Sequence, residues 1–287
     1  MPEAKKIEAT KRTQRERKGP LHSPRVLVVD VGGTNVKVLA TGQAVSRKIP
    51  SGPTMTARGM VDSVKQATAD WTYDVVSIGY PGPVRDGRPE VEPKNLAGGW
   101  VKCNFQQAFG APVKMINDAA MQALGSYECG RMLFLGLGTG LGSALITDGV
   151  LVPMELAHLR YRKGGTYEDF IGLRGLEQYG KNKWRRYVLD VVSALRDALQ
   201  ADYVVLGGGN VKRLSELPAW IRVGNNDLAF VGGFRLWEEA WKDERPGCVV
   251  RRGGAAAGNR DDGQGIRPIE GEPFKKEQVW TSRIRKL

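Results

Sequence analysis

Apolar residues in this chain fall into short runs that repeatedly end in glycine. In RVLVVDVGGTNVK, residues 25–37, a β-branched apolar run predicts a buried strand at Val26–Asp30. A second run, Val36–Thr41, is expected to fold back on it as a hairpin across GGTN. Ala57–Ala69 has helical spacing, with Met60, Val61 and Val64 on one side. Asp74–Gly79, DVVSIG, reads as another buried strand leading into the turn-rich YPGPV. Val113–Ile116 predicts a short strand that stops at Asn117-Asp118 and passes directly into a helix, AAMQALGSYE. Leu133–Leu137 and Ser143–Thr147 flank GLGTGLG as a second hairpin. A helix is expected over Trp184–Leu199, and the strand Tyr203–Leu206 then runs into GGG.

Strands alternating with helices predict an α/β fold. No tandem repeat of solenoid length is evident. The units DVGGTNV and GLGTGLGSA nevertheless look alike, as if one fold were used twice. A chain of 287 residues is comfortable for two domains. Its longest apolar run, Met132–Ile146, is broken by glycines and cannot cross a bilayer as a plain helix. The basic N-terminus is not followed by an apolar stretch, which argues against a secretory signal. Cys103, Cys129 and Cys248 lie too far apart for a disulfide framework or a zinc site and fit a reducing, cytoplasmic setting.

The formal charge of +12 changes meaning once it is divided along the chain. Residues 1–25 carry +5 and residues 246–287 carry +4, which leaves +3 for the long middle. Both end segments have the composition of disordered, solvated tails, so the charge argues against nucleic acid as a partner.

Three glycine turns follow predicted strands: Gly32-Gly33-Thr34, Gly138-Thr139-Gly140 and Gly207-Gly208-Gly209. Without a Cβ, such turns let backbone N–H groups close on a phosphate. One turn alone would be ordinary hairpin chemistry; three together favour a phosphate-donor site, with Lys37 a further candidate ligand. There is no GxxxxGK[ST] motif, and no GxGxxG opens a helix with a downstream acid, so a P-loop NTPase and a Rossmann dehydrogenase are unsupported. Asp30 ends the first strand beside a phosphate nest, a place suited to holding Mg²⁺ directly or through water, although a turn-capping role would also fit. Asp118 could cap the helix it begins, or act as a base. Glu155 and His158 stand three apart in PMELAHL and could share a sugar's hydroxyls. His158 has no neighbouring His or Cys with which to form a metal site.

In this order, DVGGTNVK, GYPGPV, NLAGGW, MINDAAMQALG, GLGTGLGSAL, MELAHL and VVLGGG resemble the ROK family of sugar kinases and repressors, in particular its polyphosphate-glucokinase branch, from Val26 to Glu239. The resemblance implies a two-domain actin/hexokinase-like (ribonuclease H-like) fold with an interdomain cleft. Tails at 1–25 and 246–287 would flank an N-terminal domain at 26–118 and a C-terminal domain at 119–245, whose last helix can return to the first domain. It implies that Asp118 deprotonates a hexose 6-hydroxyl and that Asn95, Asn117, Glu155 and His158 bind the sugar. The first two glycine turns, with Asp30 and Thr139, would handle phosphates and Mg²⁺, and the third would lie against an adenosine. HLRYRKGGTYEDFIG lacks the cysteines of the zinc motif that many members carry, which implies no zinc, with Glu168 standing in for that motif's sugar-binding glutamate. Ala157 replaces the family's glycine before the histidine and adds a methyl near the sugar. Homodimers occur in the family, and one is open to this chain.

From Arg160 to Arg186 the chain carries eight Lys/Arg against three acids. Such a field suits a polyanion longer than ATP, although a solvated basic helix face would read the same. KNKWRRY matches in position a tryptophan-containing segment of polyphosphate glucokinases. The expected function is therefore glucose phosphorylation from polyphosphate, with ATP or another hexose as the nearest alternatives. An inactive sugar-binding or regulatory protein is the alternative of another class. A repressor would need a winged-helix unit before the first strand, where the segment is too short for one.

Overall fold

The computed structural model describes residues 23–238. Expectations for residues 1–22 and for residue 239 onward lie outside the described residues. The chain begins with β1 (Val26–Val31), β2 (Asn35–Ala40), β3 (Arg47–Pro50) and α1 (Ala57–Ala67). Next come β4 (Val75–Tyr80), the two-residue strands β5 (Val84–Arg85) and β6 (Arg88–Pro89), α2 (Phe105–Phe109) and β7 (Val113–Asn117). Five of these strands make one sheet in the order β3-β2-β1-β4-β7, with β1 antiparallel to β2 and parallel to β4. β1 and β4 are buried at every position, as expected of parallel strands covered on both faces. α1 buries Met60, Val61 and Val64, the stripe that its spacing predicted, and Thr56 caps it by accepting from the Gly59 N–H at 3.1 Å.

The second half comprises α3 (Asp118–Ser126), β8 (Arg131–Leu137), β9 (Leu141–Thr147), β10 (Val150–Met154), α4 (Tyr167–Ile171), α5 (Leu173–Ala198), β11 (Tyr203–Gly207), β12 (Ile221–Val223) and α6 (Leu228–Arg235). Its sheet runs β10-β9-β8-β11-β12. β8 is antiparallel to β9 and parallel to β11. Both sheets thus repeat one scheme, a pair of antiparallel neighbours on one side of the leading strand and a pair of parallel ones on the other. The likeness of the two strand–glycine–strand units reflects this shared order.

α5 is two helical segments that meet at Gly180, and the second contains the helix expected over Trp184–Leu199, apart from its last residue. Gly180, at φ 72°, ψ 161°, is non-helical and separates the unexpected first segment, which begins at Leu173, from the second. Trp184 is fully buried and donates its indole N–H to the Ile171 carbonyl at 2.9 Å. The tryptophan of KNKWRRY is therefore a core residue. Cys103 is a free thiol, half-buried, and Cys248 lies outside the described residues. Among the described residues no helix is long and apolar enough to cross a membrane.

α6 leaves the second sheet and packs on the first. Ser77 in β4 donates its hydroxyl to the Gly233 carbonyl at 2.6 Å and accepts the Trp237 indole N–H at 3.0 Å. α6 also lies against α3 at backbone distance. A Cβ on Gly125 would stand 1.8 Å from the Leu228 carbonyl oxygen, and one on Gly232 would stand 1.8 Å from that of Met121. Gly232→Ala should therefore lower stability by about 3 kcal/mol or more in urea denaturation, because rigid backbone must move. Gly209→Ala, where the added Cβ meets open space, should stay within about 0.5 kcal/mol of the parent. Equal midpoints for the two variants would show that the helix crossing is loose.

Candidate active site

The first glycine turn is built at the end of β1. The Gly32 N–H donates to the Asn35 carbonyl at 3.1 Å, and a Cβ on Gly32 would sit 2.8 Å from that oxygen. Ser51, which the sequence did not flag, holds the turn from outside. Its hydroxyl donates to the Gly32 carbonyl at 2.7 Å and its N–H to the Thr34 carbonyl at 2.9 Å. Asn95 packs directly over Gly33, where a Cβ would come within 3.1 Å of the asparagine Cβ. Lys37 faces Asp30 across the β1–β2 ladder, with its ammonium 3.8 Å from the carboxylate. Asp30 is 9% exposed. Burial raises its pKa, Lys37 opposes that shift, and the charge of Asp227 at the start of α6 adds to it.

β7 lies beside β4, so Asn117 and Asp118 arrive where Tyr80, Pro81 and Gly82 leave the neighbouring strand. Asn117, not Asp118, caps α3, accepting from the Ala120 N–H at 3.1 Å. The other end of its amide donates to the Gly82 carbonyl at 3.1 Å, latching the Pro81-Gly82 loop. Asp118 becomes the first residue of the helix, and one of its oxygens accepts the Ala119 N–H at 2.8 Å. Its pKa is pushed up to about 7, first by burial and second by the charge of Asp30. The two acids therefore share one poorly solvated region. Gly79 makes room for them, since a Cβ there would meet the Met121 side chain and come within 3.5 Å of the Asp118 Cα.

The second and third glycine turns are joined. Asn210 donates its side-chain amide to the Gly138 carbonyl at 3.0 Å and its N–H to the Leu137 carbonyl at 3.0 Å. Gly208 has φ 86°, and any Cβ would lie 2.5 Å from the Leu137 carbonyl, so only glycine fits. Glu168 sits on the second turn, its carboxylate accepting the Leu141 N–H at 3.1 Å beside Gly140. One residue on, Gly142 abuts Ala119, the residue after Asp118, where an added Cβ would meet the alanine Cβ at 2.6 Å.

Residues 157–168 form a hairpin that the sequence reading missed. The Glu168 N–H donates to the Ala157 carbonyl at 3.0 Å, the Tyr167 N–H to the Leu159 carbonyl at 2.9 Å and the Tyr161 N–H to the Gly165 carbonyl at 2.8 Å. This returns Glu168 to the segment carrying Glu155 and His158, whose side chains approach at 4.0 Å and are both largely exposed. These three candidates are thus gathered locally, and their route to Asp118 runs through the second glycine turn. Thr139 accepts the Leu173 N–H, so α5 starts against that same turn. Asn95 instead belongs with the first turn and Asn117 with the Pro81-Gly82 loop. Ser51, Asn210 and Asp227 are single polar residues in irregular or capping positions, which no periodic pattern could have marked.

Among the described residues no group of three or more His, Cys, Asp or Glu is disposed to hold a metal ion. A divalent cation here would rest on one or two carboxylates, with water and substrate oxygens completing its shell. Asp30 fits that part, being buried beside a second carboxylate with a single ammonium at 3.8 Å in partial compensation.

The ROK family model matches residues 26–153. The polyphosphate glucokinase of Mycobacterium tuberculosis (strain H37Rv) is 29% identical over 209 residues, which covers 63% of this chain and 76% of that protein. Among solved structures, the inorganic polyphosphate/ATP-glucomannokinase of Arthrobacter sp. strain KM superposes with a TM-score of 0.65 at 23% identity, over 75% of this chain and 98% of that one. A ROK family glucokinase from Streptomyces griseus, solved with glucose and AMPPNP, gives 0.62 at 19% identity, over 74% and 98%. Residues 26–153 thus match the ROK family model, and the chain shares the α/β fold of these kinase structures.

Proposed function

We propose that this protein is a hexose kinase that transfers a terminal phosphoryl group to a sugar 6-hydroxyl, with glucose as acceptor and inorganic polyphosphate as donor. The observation that carries this reading is Asp118, released from capping by Asn117 and held near pKa 7 beside Asp30 and the glycine turns. A carboxylate with a pKa near neutrality is matched to taking a proton from an attacking hydroxyl. The activity printed for the Mycobacterium relative supports both the acceptor and the donor.

In this mechanism the sugar lies against Asp118 with Glu155, His158 and Glu168 on its hydroxyls, and with Asn95 closing from the first turn. Asn117 positions Asp118 and the Pro81-Gly82 loop, with both ends of its amide already engaged. Backbone N–H groups of Gly32–Thr34 and Gly138–Gly140 take up charge on the transferring group. Mg²⁺ held through Asp30 would neutralise charge on the donor phosphates. Lys37 favours the ionised form of Asp30 against burial and faces the same phosphates. Closure of the two halves, divided at Asp118, would exclude the water that otherwise hydrolyses the donor. ATP is the second reading, favoured by the third turn, Gly207–Gly209, which Asn210 ties to the second.

A coupled assay for hexose 6-phosphate with Mg²⁺, run with glucose or mannose and with polyphosphate or ATP, should give product from glucose and polyphosphate. Product from ATP alone would assign the donor to the nucleotide, and product from neither would leave a sugar-binding protein without turnover. Asp118→Asn should lower turnover by about 10²-fold or more while sugar binding persists. A near-normal rate in that variant would remove Asp118 as the base.

The raised pKa also predicts stability. In the unfolded chain Asp118 ionises near about 4, whereas in the folded protein it holds its proton to about 7. Between those values the folded state binds more protons, so this group's contribution falls as pH rises. Asp118→Asn should therefore be more stable than the parent above pH ~7, by at most about 4 kcal/mol given partial hydration of the site, with the gain fading towards pH ~4. Denaturation midpoints across that range measure it, and a pH-independent difference would contradict the assignment.

A further inference from the structure

We propose that the face where the 157–168 hairpin leans over α5 is a groove that holds the length of a linear polyphosphate chain beyond its reacting end. This rests on the kinase reading above and adds a binding site outside the glycine turns. The hairpin tip turns at Lys163 and Gly164, both with positive φ, and carries Arg162 and Lys163 out over the helix. Tyr161 fixes the arm, packing edge-on against Phe170 and Tyr187 and donating its hydroxyl to Asp190.

Arg162 then stands between two cavities. One, of about 390 Å³, is completed by Lys183, Arg186, Tyr187 and Asp190. The other, of about 260 Å³, includes Lys163, Asp169 and Arg174 in its walls. The two carboxylates are already committed, Asp190 to Arg162 at 2.9 Å and Asp169 to Arg174 at 3.1 Å. Lys163, Lys183 and Arg186 have no ion pair among the described residues. Cations of the hairpin thus face cations of the helix across concave space, an arrangement that repels itself until an anion lies between.

The shape selects the anion. α5 begins against Thr139 of the second glycine turn, so the groove leads away from the candidate transfer site. Arg162 lines both cavities, so Arg174 and Lys163 on one side and Lys183 and Arg186 on the other form one row of cations, although the helix breaks at Gly180. A ligand tracking that run must be extended and charged at every repeat. Strand-like nucleic acid is disfavoured, because stacking needs open aromatic faces. Here Tyr179 stacks on Phe170 and Tyr187 packs edge-on against both. The fold also separates the four cations of KNKWRR. Lys183 and Arg186 line the larger cavity, whereas Arg185 donates to the Ser215 carbonyl at 2.8 Å and Lys181 lines neither cavity.

That division supplies the test. Equilibrium binding of long-chain polyphosphate and of tripolyphosphate to the full chain should be measured for the parent, Lys183→Ala/Arg186→Ala and Lys181→Ala/Arg185→Ala. The first pair should weaken long-chain binding by about tenfold or more and flatten its salt dependence, since two phosphate contacts are lost. It should leave tripolyphosphate within about twofold, and the second pair should stay within about twofold for both ligands, since unplaced surface charges contribute little. If the alanine pair lowers the melting temperature, Lys183→Gln/Arg186→Gln keeps the side-chain length and should show the same loss. Equal losses in both pairs, equal loss of tripolyphosphate, or single-stranded DNA binding as tightly as polyphosphate would overturn the groove. Long-chain binding through Lys183 and Arg186 without sugar phosphorylation would reject the kinase reading and keep the groove. Unchanged polyphosphate KM in Lys183→Ala/Arg186→Ala with full turnover would do the reverse.

Discussion

The candidate site depends on one residue using both ends of its amide. Asn117 accepts from the first turn of α3 with its oxygen and holds the Pro81-Gly82 loop with its nitrogen. Were Asp118 the cap, its carboxylate would be turned back onto the N–H groups one turn along the helix. With the cap one residue back, Asp118 keeps hydrogen bonds to its immediate neighbours, and burial and the charge of Asp30 outweigh them. Two acids in one poorly solvated place is an electrostatic cost, and Lys37 at 3.8 Å offsets only part of it. Such an arrangement is informative because folding alone gives no reason to keep it.

α3 carries that carboxylate into contact with everything else that matters. Its first residues meet β9 at Gly142, its middle meets β4 at Gly79, and its end meets α6 at Gly125 and Gly232. At Gly125 and Gly232 backbone occupies the Cβ position, at Gly142 the Ala119 methyl does, and at Gly79 the tip of Met121 does. The glycines of this protein therefore do two different things. Those at strand ends leave N–H groups approachable, and those around α3 let elements of both sheets close on one short helix.

Much of this was legible in the sequence, but unevenly. The strands ending in DVGGTN, GLGTG and LGGG announced themselves because a buried apolar run and a glycine turn are both local signals. Asp118 as a candidate base was legible too, although only the structure showed that Asn117 had taken its capping role. The hairpin at 157–168 was not legible, since its pairs join residues whose alternation is broken by YRKGG. The first segment of α5 was hidden because it is short, contains Gly175 and is cut off from the second by the non-helical Gly180. Ser51 and Asn210 act through single side-chain bonds to distant carbonyls, which leave no periodic trace.

The basic segment shows most clearly what tertiary structure adds to charge counting. As sequence, the cations from Arg160 to Arg186 are one field that a polyanion or bulk water could equally well neutralise. In the fold, part of that field is spent on Asp169, Asp190 and the Ser215 carbonyl, and only part is turned inward between hairpin and helix. The same hairpin returns Glu168 beside Ala157 and the Glu155–His158 segment. Whatever steadies the tip over α5 therefore steadies the base of the arm, where the candidate sugar ligands sit. A chain of phosphates lying in the groove would order both ends of that arm at once, through Arg162 at the tip and through the Ala157–Glu168 pairing at its root.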